Sequence, residues 1–192
     1  WEYVLLSWRH SKGVCMKKIN IRLVAALGIL VAIHIVLSRF CSINTWNLKI
    51  GFAFVPVFAA AYFFGPLPAA IVGGLGDFLG AILFPIGPYF PGFTLNCALT
   101  GVIFGLLLHR RPTVPRVIAA TILNQFVLSL FGTTLWLSIL NGAAYWPLLA
   151  TRIPQAIILS VLEVAVMLAL SKAIPLLHLK KLFAPGGVLH DR

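Results

Sequence analysis

Most charged residues fall outside six apolar stretches, in the short gaps between them and at the chain ends, and this segregation constrains the fold more than any other feature. The stretches run at about 21–38, 51–64, 69–84, 93–108, 117–140 and 153–176. A membrane-crossing helix needs about 20 mostly apolar residues, so 192 residues leave room for six such segments and little else. Composition agrees. Hydrophobic residues make up 60% and charged residues 10%, against about 25% charged in an ordinary soluble domain. Mean hydropathy is +1.01. Too little polar surface remains to coat a globule in water, which excludes a soluble enzyme and a disordered tail. The expected fold is an all-α membrane protein, a bundle of six transmembrane helices, with no soluble catalytic domain beside it.

Punctuation between the stretches is strong. In Gly65-Pro66-Leu67-Pro68 two prolines break the helical pattern, and Pro85-Ile86-Gly87-Pro88 ends the third stretch. The cations give an orientation. With the N-terminus inside, Arg9, Lys12, Lys17, Lys18, Arg22, Arg110, Arg111, Arg116, Lys172, Lys180, Lys181 and Arg192 are cytoplasmic, and Arg39, Lys49 and Arg152 are outside, a 12 to 3 split. Positive connectors stay inside, so both termini are expected in the cytoplasm of a multi-pass bacterial plasma-membrane protein. The net charge of +11 then reads as contact with membrane lipid headgroups rather than nucleic acid. Residue 1 is Trp, and the first Met is Met16, followed by Lys17, Lys18, Ile19 and Asn20 in the manner of a bacterial start. Residues 1–15 are therefore expected to be a non-native or mis-annotated extension, and residues 16–192 a single domain. The first apolar run is long and lacks a small-residue cleavage site, which argues against a signal peptide. Cys15, Cys41 and Cys97 are isolated, so no metal site or disulfide framework is expected.

The outer connectors are longer than the inner ones and rich in aromatics. The first holds Arg39, Phe40, Trp46 and Lys49, the second Tyr89, Phe90 and Phe93, and the third Tyr145, Trp146 and Arg152. Singly, such aromatics anchor a helix at the interface; three aromatic loops on one face suggest a ligand site. Inside the stretches, Asp77 and Glu163 are costly in hydrocarbon and need partners. Each reads either as a ligand contact or proton relay, or as a structural group bonded to another helix; His34, Asn96, Asn124 and Gln125 pose the same question more weakly. Gly28-x-x-x-Ala32 and Gly76-x-x-x-Gly80 have the spacing of tightly packed membrane helices. The sequence holds no G-x-x-x-x-G-K-[ST] phosphate loop, no H-E-x-x-H and no G-x-S-x-G. Neither catalytic residues nor a cofactor are expected.

Several runs together resemble a known family. They are Leu37-Ser38-Arg39-Phe40, Leu48-Lys49-Ile50-Gly51-Phe52 with Phe54-Val55-Pro56, Gly76-Asp77-Phe78-Leu79-Gly80, and Tyr89-Phe90-Pro91-Gly92-Phe93-Thr94-Leu95. From Met16 to about Leu179 the chain resembles the folate-family substrate-binding (S) component of energy-coupling-factor (ECF) transporters. The resemblance implies a six-helix bundle that takes its vitamin from the outer face. It also implies a transmembrane coupling protein and two cytosolic ATPases as partners, which accords with the missing phosphate loop. Family members meet the coupling protein through small residues of the first helix, a face that Ala25, Gly28 and Ala32 supply here.

Residue chemistry agrees with a folate-like ligand, which has a flat pterin, an aryl ring and two carboxylates. The outer connectors carry Arg39, Lys49 and Arg152 and no acid, a face that attracts anions. Trp46, Tyr89, Phe90, Phe93 and Trp136 can stack on rings. Arg39 or Arg152 can grip a carboxylate bidentately, and Asp77 or Asn96 can accept from the pterin edge. Riboflavin is the leading rival ligand. Pantothenate has no rings, and thiamine is a cation that would want outer acids. A small intramembrane enzyme using Asp77 and Glu163 as acid and base, or a purely structural scaffold, are readings of another kind.

Topology gives the first test. Cysteines engineered near Asn44 should react with a membrane-impermeant thiol reagent from outside intact cells, and those near Arg111 should not; external labelling near Arg111 would invert the orientation.

Overall fold

The computed structural model describes residues 21–44, 49–109 and 112–176. The expected extension at 1–15 and the site candidate Trp46 lie outside them. Six helices follow in chain order: α1 (Ile21–Arg39), α2 (Phe54–Phe64), α3 (Pro66–Leu83), α4 (Pro91–Leu108), α5 (Val114–Asn141) and α6 (Tyr145–Leu176). Four of them, α3 to α6, are long and apolar enough to cross a membrane, whereas the apolar part of α1 (Leu23–Arg39) and α2 are shorter. Between α1 and α2 lies a small antiparallel hairpin that the sequence reading did not foresee. It joins β1 (Ser42–Asn44) to β2 (Lys49–Gly51), with Ser42 opposite Gly51 and Asn44 opposite Lys49.

Two expectations need correction. The prolines after Gly65 do not break a helix, because Pro66 opens α3 and Pro68 stands in its first turn. The first-turn N–H groups have no intrahelical acceptor, so proline costs nothing there. The break is confined to Gly65, whose φ of 92° lies where only glycine is unstrained. Likewise Pro91 opens α4. The second correction is larger. Helix α6 begins at Tyr145, eight residues before the apolar run at 153, so Tyr145, Trp146, Pro147 and Arg152 belong to a helix and not to a connector. Pro147 is compatible with the first turn; Pro154 lies inside α6 and cannot donate to the carbonyl of Ala150.

Glycine sets the closest helix pair. A Cβ at Gly73 would strike the carbonyl of Cys97, one at Gly101 the backbone of Ala69, and one at Gly105 the Cα of Pro66. Helices α3 and α4 therefore touch backbone to backbone from Pro66 to Gly73 and from Cys97 to Gly105, as small residues allow in membranes. Val57, Phe58, Ala60 and Ala61 of α2, Val72 of α3, Phe104 and Leu108 of α4, Val117 of α5 and Met167 of α6 fill the core against this pair. The Gly76-x-x-x-Gly80 seam serves another purpose. Gly76 receives the ring of His34, and Gly80 receives the guanidinium of Arg39, so α3 gives way to two long side chains of α1.

The two ends of the bundle differ. At the Gly65 end the His109 ring lies on Gly65, with Nδ1 3.2 Å from the carbonyl of Ala61. The other end, the hairpin end, gathers β1–β2, the connector from Phe84 to Phe90 and the turn before Tyr145. Phe40 and Phe84 meet there edge to face, with centroids 5.2 Å apart. On α1, Ala25, Gly28 and Ala32 are exposed, and nothing lies within 4 Å of a Cβ built on Gly28.

Gly101→Ala and Gly105→Ala should each destabilise the folded bundle by about 1–3 kcal/mol, because the new methyl meets backbone that cannot yield. Gly28→Ala, with open space and better helix propensity, should leave thermal unfolding in detergent unchanged or slightly delayed.

Candidate functional site

Polar side chains in the hairpin half form three groups, each spanning two or three helices. The first begins where α1 ends. Arg39 reaches across Gly80 to α3, with Nη2 3.8 Å from Asp77 Oδ1 and 3.5 Å from the Asp77 carbonyl. Thr94 of α4 donates to Asp77 Oδ2 at 2.9 Å, and the Tyr89 and Thr94 hydroxyls lie 3.2 Å apart. The Tyr89 ring meets Phe78 edge to face at 5.8 Å. Both charged side chains are about nine-tenths buried. A charge removed from water needs an opposite charge or several hydrogen bonds, and each supplies that to the other. Sequence reasoning offered Asp77 as a ligand acceptor and Arg39 as a carboxylate grip; the structure joins them to each other.

The second group links α4 to α5. Asn96 is buried, and its Nδ2 donates to the Leu128 carbonyl at 3.1 Å and to Thr133 Oγ1 at 3.2 Å. Its Oδ1 accepts from the Trp136 indole at 3.3 Å. The Trp136 ring is held further by Gly92, where a Cβ would collide with it, and by Phe90, with centroids 5.5 Å apart. Phe90 also packs edge-on against Phe93 at 6.2 Å. So Phe90, Phe93 and Trp136 form one aromatic cluster, and Asn96 orients it instead of standing open as an acceptor.

The third group is Arg152, 5% exposed and two turns into α6. Its Nη1 lies 3.4 Å from Thr134 Oγ1, two residues before Trp136 on α5. Its Nε is buried without a hydrogen-bond partner. Among the described residues no carboxylate pairs with Arg152; the ion pair they contain is Arg39 with Asp77. A guanidinium in this position needs an anion. The backbone of Lys49 pairs with Asn44 in the hairpin ladder at the same end.

Deeper in the bundle, Glu163 of α6 is fully buried. Asn124 Nδ2 donates to its Oε1 at 2.9 Å, and Gln125 Nε2 to its Oε2 at 2.6 Å. Asp77 and Glu163 thus serve different helix contacts, each with its own partners. The hydroxyls of Thr94, Thr100, Thr133 and Thr134 all take part in these groups, and sequence reasoning passed over them. Their signal was a polar residue recurring one turn from another polar residue within an apolar run, as in Asn96 and Thr100.

The ion pair can be tested by a double-mutant cycle. Asp77→Ala should cost about 3 kcal/mol, since it strands a largely buried cation, and the double change with Arg39→Ala should cost clearly less than the sum. Additive losses in unfolding stability would show the two side chains to be independent.

Comparison with known proteins places the chain. Residues 18–175 match the family described as ECF-type riboflavin transporter, S component. Folate transporter FolT of Clostridium novyi (strain NT) is 40% identical over 145 residues, 75% of this chain and 83% of that protein. Folate transporter FolT of Leuconostoc mesenteroides subsp. mesenteroides is 30% identical over 133 residues, 68% of this chain and 71% of that protein. The crystal structure of FolT bound with folic acid superposes with a TM-score of 0.77 at 34% identity, covering 80% of this chain and 95% of that one. These relatives are transporters, so the acid–base enzyme weighed for Asp77 and Glu163 is set aside. On the matched family, the identity to both relatives and the shared helical fold, this chain belongs to the S components of ECF-type transporters, multi-pass membrane proteins of bacteria.

Proposed function

We propose that the chain captures folate, or a closely related pterin vitamin, at the hairpin end of the bundle. The observation that carries this is Arg152, a buried guanidinium without a carboxylate partner among the described residues, which reaches α5 at Thr134, two residues before Trp136 of the aromatic cluster. A ligand with rings and a carboxylate meets both needs at once. The relatives named folate transporters and the folic-acid complex of FolT support the same ligand. Riboflavin, the vitamin in the matched family's description, has rings but no carboxylate, and would leave Arg152 without an anion.

Arg39 is committed to Asp77, which shifts the carboxylate contact towards Arg152. Tyr89, Phe93, Trp136 and the indole of Trp46 would line the rings, and Lys49 would add positive potential on the hairpin. The hairpin end faces outwards and both termini are cytoplasmic in this reading, which the cation distribution supports. The exposed strip of Ala25, Gly28 and Ala32 on α1 would meet the transmembrane coupling protein. Two cytosolic ATPases would supply the energy, since the sequence has no phosphate loop of its own.

Equilibrium titration of the purified chain decides the ligand. Folate should bind one to one and riboflavin far more weakly; tighter riboflavin binding would overturn the reading. Arg152→Ala should cost about 2–5 kcal/mol of folate affinity, roughly 30- to several-thousand-fold. Arg152→Lys keeps the charge without the planar fork, so it should recover part of the loss.

A further inference from the structure

Helix α5 is not α-helical throughout. Between Val114–Ile122 and Thr134–Asn141 it winds as a π-helix over Leu123–Thr133, eleven residues. A π-helix bonds i to i+5 and is rare, usually a single turn. Hydrogen bonds between its residues and side chains of the neighbouring helices hold this one at two points. At its start, adjacent residues Asn124 and Gln125 both donate to the Glu163 carboxylate, at 2.9 and 2.6 Å. Successive side chains on an α-helix diverge by about 100°; the wider π turn lowers that angle and lets two neighbours converge on one acid. Thr100 of α4 braces Asn124 from the other side, 2.7 Å from its Oδ1. In its second half, the Leu128 carbonyl accepts from Asn96 Nδ2 at 3.1 Å and faces Thr133 Oγ1 at 3.4 Å.

Trp136 lies three residues past the π segment, and its direction depends on the winding before it. Rewinding Leu123–Thr133 as an α-helix from the Asn124 anchor would add rotation at every residue. It would carry the indole away from Asn96, Gly92 and Phe90. We infer that Glu163 is a positioning residue for the vitamin site: by holding Asn124 and Gln125 it keeps α5 in the π register that aims Trp136 into the aromatic cluster. Glu163 touches no ligand in this account. Its contribution rests on two accepted hydrogen bonds and not on its charge. The inference rests on the proposed function only in giving Trp136 a ligand-binding role.

The test separates the two. In a chain whose other tryptophans, Trp1, Trp8, Trp46 and Trp146, are changed to Phe, emission reports Trp136 alone, without ligand. Glu163→Leu removes both acceptors and should shift Trp136 emission to the red and raise its quenching by acrylamide. Glu163→Gln should leave emission near the parent's, because its oxygen can accept from Asn124 and its amide can donate to a turned Gln125. If Glu163→Leu does not fold, Asn124→Leu removes one of the two bonds and should move emission in the same direction. Unchanged emission in the leucine variant that folds overturns the inference, as does a glutamine variant that behaves like leucine. In the chain with all tryptophans retained, Glu163→Leu should weaken folate binding by about tenfold or more, with Glu163→Gln close to the parent. A shifted emission with unchanged folate affinity would uphold the register and remove Trp136 from the ligand site.

Discussion

The backbone contact between α3 and α4 is the constraint from which the rest of the bundle is built. Gly73, Gly101 and Gly105 remove the side chains that would otherwise keep the two helices apart. In hydrocarbon, helices gain little from burying apolar surface, because lipid is as apolar as leucine; close packing supplies the attraction instead. The tight pair then fixes where its polar residues fall. Asp77 on α3 meets Thr94 on α4 because the axes are close enough for a short side chain to cross. Asn96, two residues further on, points to the other flank of α4 and meets α5. One close contact thus presents an ionic group on one side and an aromatic clamp on the other.

Polar groups in a slab of lipid must be answered within the protein, and this bundle answers them between helices. Arg39 and Asp77 tie α1 to α3, Asn96 ties α4 to α5, and Glu163 ties α6 to α5. Arg152 departs from the pattern, since among the described residues its partner is the Thr134 hydroxyl and not a carboxylate. Under the proposed folate reading, the ligand would supply the missing anion.

Much of this was legible in the sequence. Six apolar runs gave six helices, and the brevity of the second run is the brevity of α2. Residue chemistry also picked out Asp77, Asn96 and Glu163 as needing partners, and Arg39 and Trp136 as ligand contacts. Who partners whom was not legible, because Arg39 meets Asp77 only after α1 has packed on α3. The start of α6 was misplaced because aromatic residues, Pro147 and Arg152 read together as an interfacial connector, while proline in a helix's first turn is harmless. The π winding of α5 left no trace in hydrophobic periodicity, since it follows from bonds between Asn124, Gln125 and a carboxylate on another helix.

The shortness of α2 bears on the permeability barrier. Its eleven residues rise about 16 Å, roughly half of the 30 Å hydrocarbon thickness. With Gly65 at one membrane boundary, α2 would give out near mid-depth, where Phe52 and Ala53 continue outside any regular element. Lipid cannot hydrate such backbone, so the place must be walled by protein or wetted from the hairpin end. A solute resting there would already have traversed about half of the insulating layer, leaving the remaining half to be crossed.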